Sequence, residues 1–112
     1  MTSTNASLFR VDKFVVPAAV RETFLEGVRS IHQLIGAQPG CVQSHVLEQV
    51  GGPGEFNFVT IVEWADAQRM EAARQVITAH QEQAGIDVEA FRARYGIRAD
   101  VAAYHKAPMQ SA

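Results

Sequence analysis

Residues Phe56-Asn57-Phe58-Val59-Thr60-Ile61-Val62-Glu63-Trp64 restrict the fold more than any other stretch of the chain. Side chains along a strand alternate between its two faces, so Phe56, Phe58, Val62 and Trp64 share one side while Val59 and Ile61 share the other. A strand apolar on both sides needs a covering layer on each. The chain has 112 residues, the size of one domain. A domain of that length buries only about 65% of the surface its unfolded chain exposes. Its own helices can supply one covering layer, and a second copy of the chain is expected to supply the other.

The remaining elements can be read around this strand. Leu8 to Val16 is rich in Phe and Val and stops at Pro17, which cannot donate to a strand ladder but suits a helix start. Phe24, Val28, Ile31 and Ile35 recur at intervals of four, three and four, predicting an amphipathic helix to about Ala37. Gln38-Pro39-Gly40 breaks it, and Cys41 to Val50 reads as a second strand. Gly51-Gly52-Pro53-Gly54-Glu55 predicts a tight turn whose three glycines supply positive φ. After the apolar strand, Asp66 is placed as the N-cap of a second helix with Met70, Ala73, Ile77 and Ala84 at helical spacing, ending at Gly85. A short helix from Asp87 to Tyr95 closes at Gly96, and Ile97, Ala99, Val101 and Ala103 then alternate as a fourth strand. The order β-α-β-β-α-β, with the short helix before the last strand, predicts an α+β, ferredoxin-like split βαβ fold: one antiparallel sheet with helices on one face. Packing two such sheets face to face about a two-fold axis gives a homodimer.

Ten Lys/Arg against twelve Asp/Glu give a net charge of -2 with no basic cluster, which argues against nucleic acid as a partner. The apolar run Phe58 to Val62 is far shorter than the roughly 20 residues that span a bilayer, so no membrane association is expected. Residues 1–7 are polar and lack the features of a secretory signal. They are read as a disordered tail of a cytoplasmic protein, with 8–106 as the single domain and 107–112 as a second disordered tail. Cys41, the only cysteine, cannot form an internal disulfide, in keeping with a reducing compartment.

Three segments are informative together: Arg10-Val11-Asp12-Lys13-Phe14 leading into a helix with Phe24 and Val28, Gln38-Pro39-Gly40-Cys41 opening the second strand, and Phe58 through Asp66 running into the second helix. Their order over residues 8–105 resembles the antibiotic biosynthesis monooxygenase domains of the dimeric α/β-barrel superfamily. The resemblance implies a dimeric α/β barrel whose subunits each hold an apolar pocket. In some members that pocket oxidises quinol or polyketide-like aromatics with O₂ and no metal or flavin. Haem degraders, isomerase-like enzymes and proteins without known activity share the superfamily, and fold alone does not choose among them. Trp64 matches the family's strand-end tryptophan, whose indole can donate to a substrate oxygen. Polyketide monooxygenases of the family have an Asn four residues earlier, where this chain has Thr60. Asn57 could substitute, but period two places it opposite to Thr60. The haem-degrading branch resembles an Asn in strand one plus a Trp and a His on helix two, of which only His80 is present.

Oxygenation without a cofactor needs a substrate that itself gives up an electron, commonly as a phenolate or enolate made by a base in a water-poor pocket. Histidine suits that base. His80 shares helical spacing with Met70, Ala73, Ile77 and Ala84, and is expected on the buried side of helix two as base or orienting group. His32 flanks the apolar stripe of the first helix, and its distance before the Pro-Gly turn is similar to that of a histidine in isomerase-like relatives. His45 shares parity with Leu47 and faces either the pocket or a partner subunit, while His105 is read as solvated. Phe24, Phe58, Met70, Phe91 and Tyr104 are the candidate pocket lining, although such stripes are more often plain core. Arg10 and Asp12 are read as a solvated or interfacial ion pair. No histidines have metal-ligand spacing and Cys41 lacks a second thiol, so neither a metal nor any other cofactor is expected.

The leading expectation is therefore a cofactor-independent monooxygenase of a small aromatic, with His80 as base, Trp64 as wall and donor, and Thr60 or His32 as polar anchor. One alternative is a non-catalytic dimer that binds a small apolar or aromatic metabolite. Another is an isomerase or lyase using His32 with a carboxylate such as Glu63.

Overall fold

The two-sided apolar strand is observed directly as β3 (Phe58–Trp64), in which Phe58, Thr60, Val62 and Trp64 are buried and the residues between them are half-buried. The computed structural model describes residues 7–109, so most of the expected tails at 1–7 and 107–112 lies outside the described residues. β1 (Leu8–Val15), β2 (Cys41–Glu48), β3 and β4 (Arg98–Tyr104) form one sheet in the order β2-β3-β1-β4, with every neighbouring pair antiparallel. α1 (Arg21–Gly36), α2 (Ala67–Gln83) and α3 (Val88–Tyr95) connect the strands, and a 3₁₀ turn at Ala18–Val20 precedes α1. This is the α+β, ferredoxin-like arrangement that the order of elements predicts.

Local chemistry sets the junctions. Asp66 caps α2 by accepting from the Arg69 N–H at 2.8 Å, and Asp87 caps α3 by accepting from Ala90 at 3.0 Å. Gly96 ends α3 at φ +68°. Gly40 has φ +89°, and a β-carbon there would fall 2.5 Å from the Arg69 Cβ. The chain entering β2 therefore passes the first turn of α2 only because residue 40 has no side chain. Asn57 ties β1 to β3: its Oδ1 accepts from the Val16 N–H at 2.8 Å, and its Nδ2 donates to the Val16 carbonyl at 2.9 Å.

Two details differ from the sequence reading. The β2–β3 connection is a long loop instead of a tight turn, and of its three glycines only Gly52 has positive φ. The Gln49 side chain holds this loop by donating to the carbonyls of Gly52 and Gly54, doing what a short turn's own backbone would otherwise do. Phe56 precedes β3 instead of joining it, with the Lys13 ammonium 5.9 Å from its ring centroid.

The helices all cover the face that carries Phe14, Phe58, Val62 and Trp64. They build two separate cores on it. Phe14, Val16, Phe24, Leu25, Phe58 and Ile97 form one, with Phe91 and Tyr95 packed against it. Val62, Trp64 and Ala73 form the other, with Ile35, Cys41 and Met70 around it. Phe58 is 1% exposed, and truncating a buried Phe of this kind costs about 3–5 kcal/mol. The opposite face carries no helix among the described residues. The ladder register places Phe9, Val11, Val59, Ile61, Leu47 and Tyr104 there, with Leu47 and Tyr104 48% and 45% exposed.

Candidate functional site

Between the two cores the helices do not close onto the sheet, and a cavity of about 650 Å³ remains. The register of β1 against β3 gives its floor a linear order. Phe14 opposes Phe58, Asp12 opposes Thr60, Arg10 opposes Val62, and Leu8 opposes Trp64. Successive rows on one face lie about 7 Å apart. The floor is thus apolar at the Phe14 end, polar at the Asp12–Thr60 row, and ends in Arg10 and the Trp64 indole. α1 crosses these rows in the same order, antiparallel to β1, bringing Phe24 and Val28 over the first core, Ile31 and His32 over the gap, and Ile35 over the second core. α2 and α3 complete the wall with Met70, Arg74, Ile77, His80, Phe91 and Arg92.

Thr60 is 5% exposed, the one buried polar or charged residue among those described. Asp12 accepts a 2.7 Å bond from the Arg10 Nε, which holds both side chains against the floor. His32 is half-buried and lines the cavity, and its Nδ1 is buried with no hydrogen-bond partner. Burial pushes the His32 pKa below the usual 6.5, and the nearby Asp12 carboxylate opposes that shift without overcoming it. His32 is therefore neutral at neutral pH and keeps a free capacity to accept a proton. Protonation would be helped by the Asp12 charge beside it.

The structure brings six of the residues singled out from the sequence to this cavity with His32: Thr60, Trp64, His80, Phe24, Met70 and Phe91. His80 is at the cavity but exposed, because α2 buries only Ala73. The expectation that it projects from the buried side of the helix does not hold. Phe58 belongs to the core and does not reach the cavity. His45 opposes Ile61 in the ladder and so lies on the open face, bonded to the Gln43 side chain at 2.9 Å. Tyr104 opposes Phe9 and lies on that face too. Glu63 is also there, accepting from Gln43 at 2.7 Å and Ser7 at 2.9 Å. Those bonds, Gln43's first, hold its carboxyl below the usual range. Glu63 cannot assist His32 across the sheet, and Asp12 is the carboxylate on the His32 side. Asn57 is committed to Val16 and is not a site residue. Burial raises the Cys41 thiol pKa, which leaves it a poor nucleophile.

Arg10, Asp12, Arg74 and Arg92 are among the lining residues that the sequence reading did not assign to the site. The first two share the parity of Phe14, a core residue, so strand alternation alone placed them on the covered face. Among the described residues no group of three or more His, Cys, Asp or Glu is placed to hold a metal ion, and no helix is long and apolar enough to cross a membrane.

A family model described as antibiotic biosynthesis monooxygenase matches residues 8–85. No curated protein matches the chain. Among solved structures, a Shewanella loihica protein named as a candidate monooxygenase is 17% identical, with a TM-score of 0.70 over 96% of this chain and 100% of its own. A single-residue variant of SnoaB, a cofactor-independent oxygenase from Streptomyces nogalater, is 18% identical, with a TM-score of 0.65 over 95% and 96% of the two chains. A conserved protein from Methanosarcina mazei is 15% identical, with a TM-score of 0.71 over 92% and 95%. At these identities the structures speak for the fold.

Proposed function

The chain belongs to the antibiotic biosynthesis monooxygenase family, and from that premise we propose that it is a cofactor-independent monooxygenase of an electron-rich phenol or quinol. The observation that carries this reading is His32, a neutral imidazole with an unpartnered Nδ1, set over the Asp12–Thr60 row of a cavity that is otherwise mostly apolar. A base in such a place can deprotonate a phenol that a dry pocket would otherwise keep neutral.

In this reading the phenolic hydroxyl lies at the Asp12–Thr60 row, with the ring against the Phe14, Phe24 and Phe91 side of the cavity. His32 takes the proton, and Asp12 steadies the imidazolium. The phenolate gives an electron to O₂, and the resulting pair joins through a new C–O bond on the ring. His32 returns its proton to the peroxide; the O–O bond then breaks as the hydrogen on the newly oxygenated ring carbon is lost as a proton, the distal oxygen leaves with both protons as water, and the ring becomes a quinone. One oxygen atom ends in the product and one in water, and the substrate supplies all the electrons. Thr60 and the Trp64 indole are placed to donate to developing oxyanions.

The open face supports a homodimer, since Phe9, Val11, Val59 and Ile61 lie on it without a helix above them. Oxygen uptake with a hydroquinone and anthrone panel tests the function. Turnover that stops under argon and leaves a quinone supports it; product formed equally without oxygen would point instead to isomerisation by the same His32 and Asp12 pair. Tight binding of the same aromatics with no turnover would leave a ligand-binding protein.

A further inference from the structure

We infer that the cavity selects aromatics carrying a carboxylate, and that Arg92 is the residue that reads it. The inference rests on the cavity being the substrate site, and it adds the chemical class of the substrate.

Three arginines line the cavity, and they are not alike. Arg10 is bonded to Asp12 and Arg74 to Glu71. Arg92 has no carboxylate partner among the described residues, although it is half-buried. Its guanidinium carbon lies 5.7 Å from the centroid of the Phe14 ring, at the apolar end of the floor. A position in the last turn of α3 gives Arg92 a favourable interaction with the helix dipole, but Arg94 has the same advantage and stays exposed away from the cavity. The dipole therefore does not explain why Arg92 is the one turned toward the cavity. A half-buried guanidinium over an aromatic face, without a counter-charge, is a strong and geometrically demanding site for a carboxylate.

The register also gives a spacing. Phe14 and Asp12 are successive positions on the covered face of β1, about 7 Å apart. An aromatic whose hydroxyl reaches His32 and Thr60 would present its far end to Arg92. A para-hydroxy aromatic acid has that shape.

The test uses calorimetry under argon with para-hydroxycinnamate and its methyl ester, so that binding is read apart from any oxygenation. The wild-type protein is expected to bind the acid at least tenfold more tightly than the ester. In Arg92→Met, which keeps an apolar stem over Phe14, that preference is expected to fall below threefold with the affinity for the ester unchanged; Arg92→Lys should keep part of it. Equal affinities in the wild type, binding of neither compound, or a preference that survives Arg92→Met would each overturn the inference. Should Arg92→Met fail to fold, Arg92→Lys decides alone, because an undiminished bidentate preference in that variant excludes the guanidinium. Arg92-dependent binding without oxygen uptake in air would sink the oxygenase reading and leave the anion site standing.

Discussion

Asp12 and Thr60 are direct partners in the β1–β3 ladder, and both face the helices from the gap between two apolar cores. A carboxylate and a hydroxyl in such a row add nothing to packing that two aliphatic residues would not add better. Their neighbourhood with His32 is what a proton-transfer site requires and what a core does not.

Thr60→Val separates those two roles. The swap keeps the branched shape and removes the hydroxyl from a 5% exposed position. Stability by urea denaturation is expected to change by no more than about 1.5 kcal/mol, the net worth of one hydroxyl hydrogen bond. Oxygen uptake with an accepted substrate should fall at least tenfold. Unchanged turnover would remove Thr60 from the site.

His32 and His80 both line the cavity, but His32 is half-buried with a buried, unpartnered nitrogen whereas His80 is exposed. His32→Gln is therefore expected to lower turnover at least a hundredfold, since a positioned general base typically contributes about 10²–10⁴-fold. His80→Gln should stay within threefold. The reverse ranking in an oxygen-electrode assay would return the base to α2.

The depressed His32 pKa has a definite sign. Below the usual 6.5 the unfolded chain takes up a proton that the folded chain resists, so the unfolded state binds more protons and stability rises with pH. The contribution is complete above pH 6.5 and is lost as pH falls through the lower, folded value. Wild-type melting curves should therefore show an acid slope that His32→Gln lessens. The turnover profile should keep its basic plateau to below pH 6.5, because the imidazole stays neutral there.

The sheet was legible because its signals are local. Period-two burial in β3, the Asp66 cap and the Gly96 stop each depend on a few neighbouring residues. The site was legible only where a residue shared a face with known core. Parity assigned Thr60 and Trp64 correctly, and the same parity applied to Arg10 and Asp12 would have found them. His80 failed for a different reason: helical spacing names a face, whereas burial depends on how close the helix lies to the sheet, and α2 stands off to leave the cavity. Arg92 carried no signal at all, since an unpaired arginine is recognised only once the partners of the others are known.

Asn57→Ala tests the strap between β1 and β3. It removes two hydrogen bonds and leaves the N–H of Val16, itself only 3% exposed, without an acceptor. A loss of about 2–3 kcal/mol is expected, or a melting temperature lower by about 10–20 °C. Turnover at temperatures where the variant remains folded should be unaffected. Lost turnover in a folded variant would mean that Asn57 serves the site as well as the strap.

The last prediction concerns the uncovered face. Ile61 stands between Val11 and His45 in the ladder, at the middle of a surface that holds Phe9, Val59 and Leu47. The described residues span 18 Å along their shortest extent, one sheet plus one helical layer, so nothing among them covers that surface. Light scattering at micromolar concentration should report about twice the chain mass, because a half-apolar sheet of this size is stabilised by a second sheet packed about 10 Å away. Ile61→Lys would place an ammonium group in the middle of the apolar face that the second sheet has to cover while leaving the helix-side cores intact, and should yield a folded particle of the chain mass. A wild-type protein already at that mass would leave Val59 and Ile61 half-exposed to water, and the pairing of sheets would have to be abandoned.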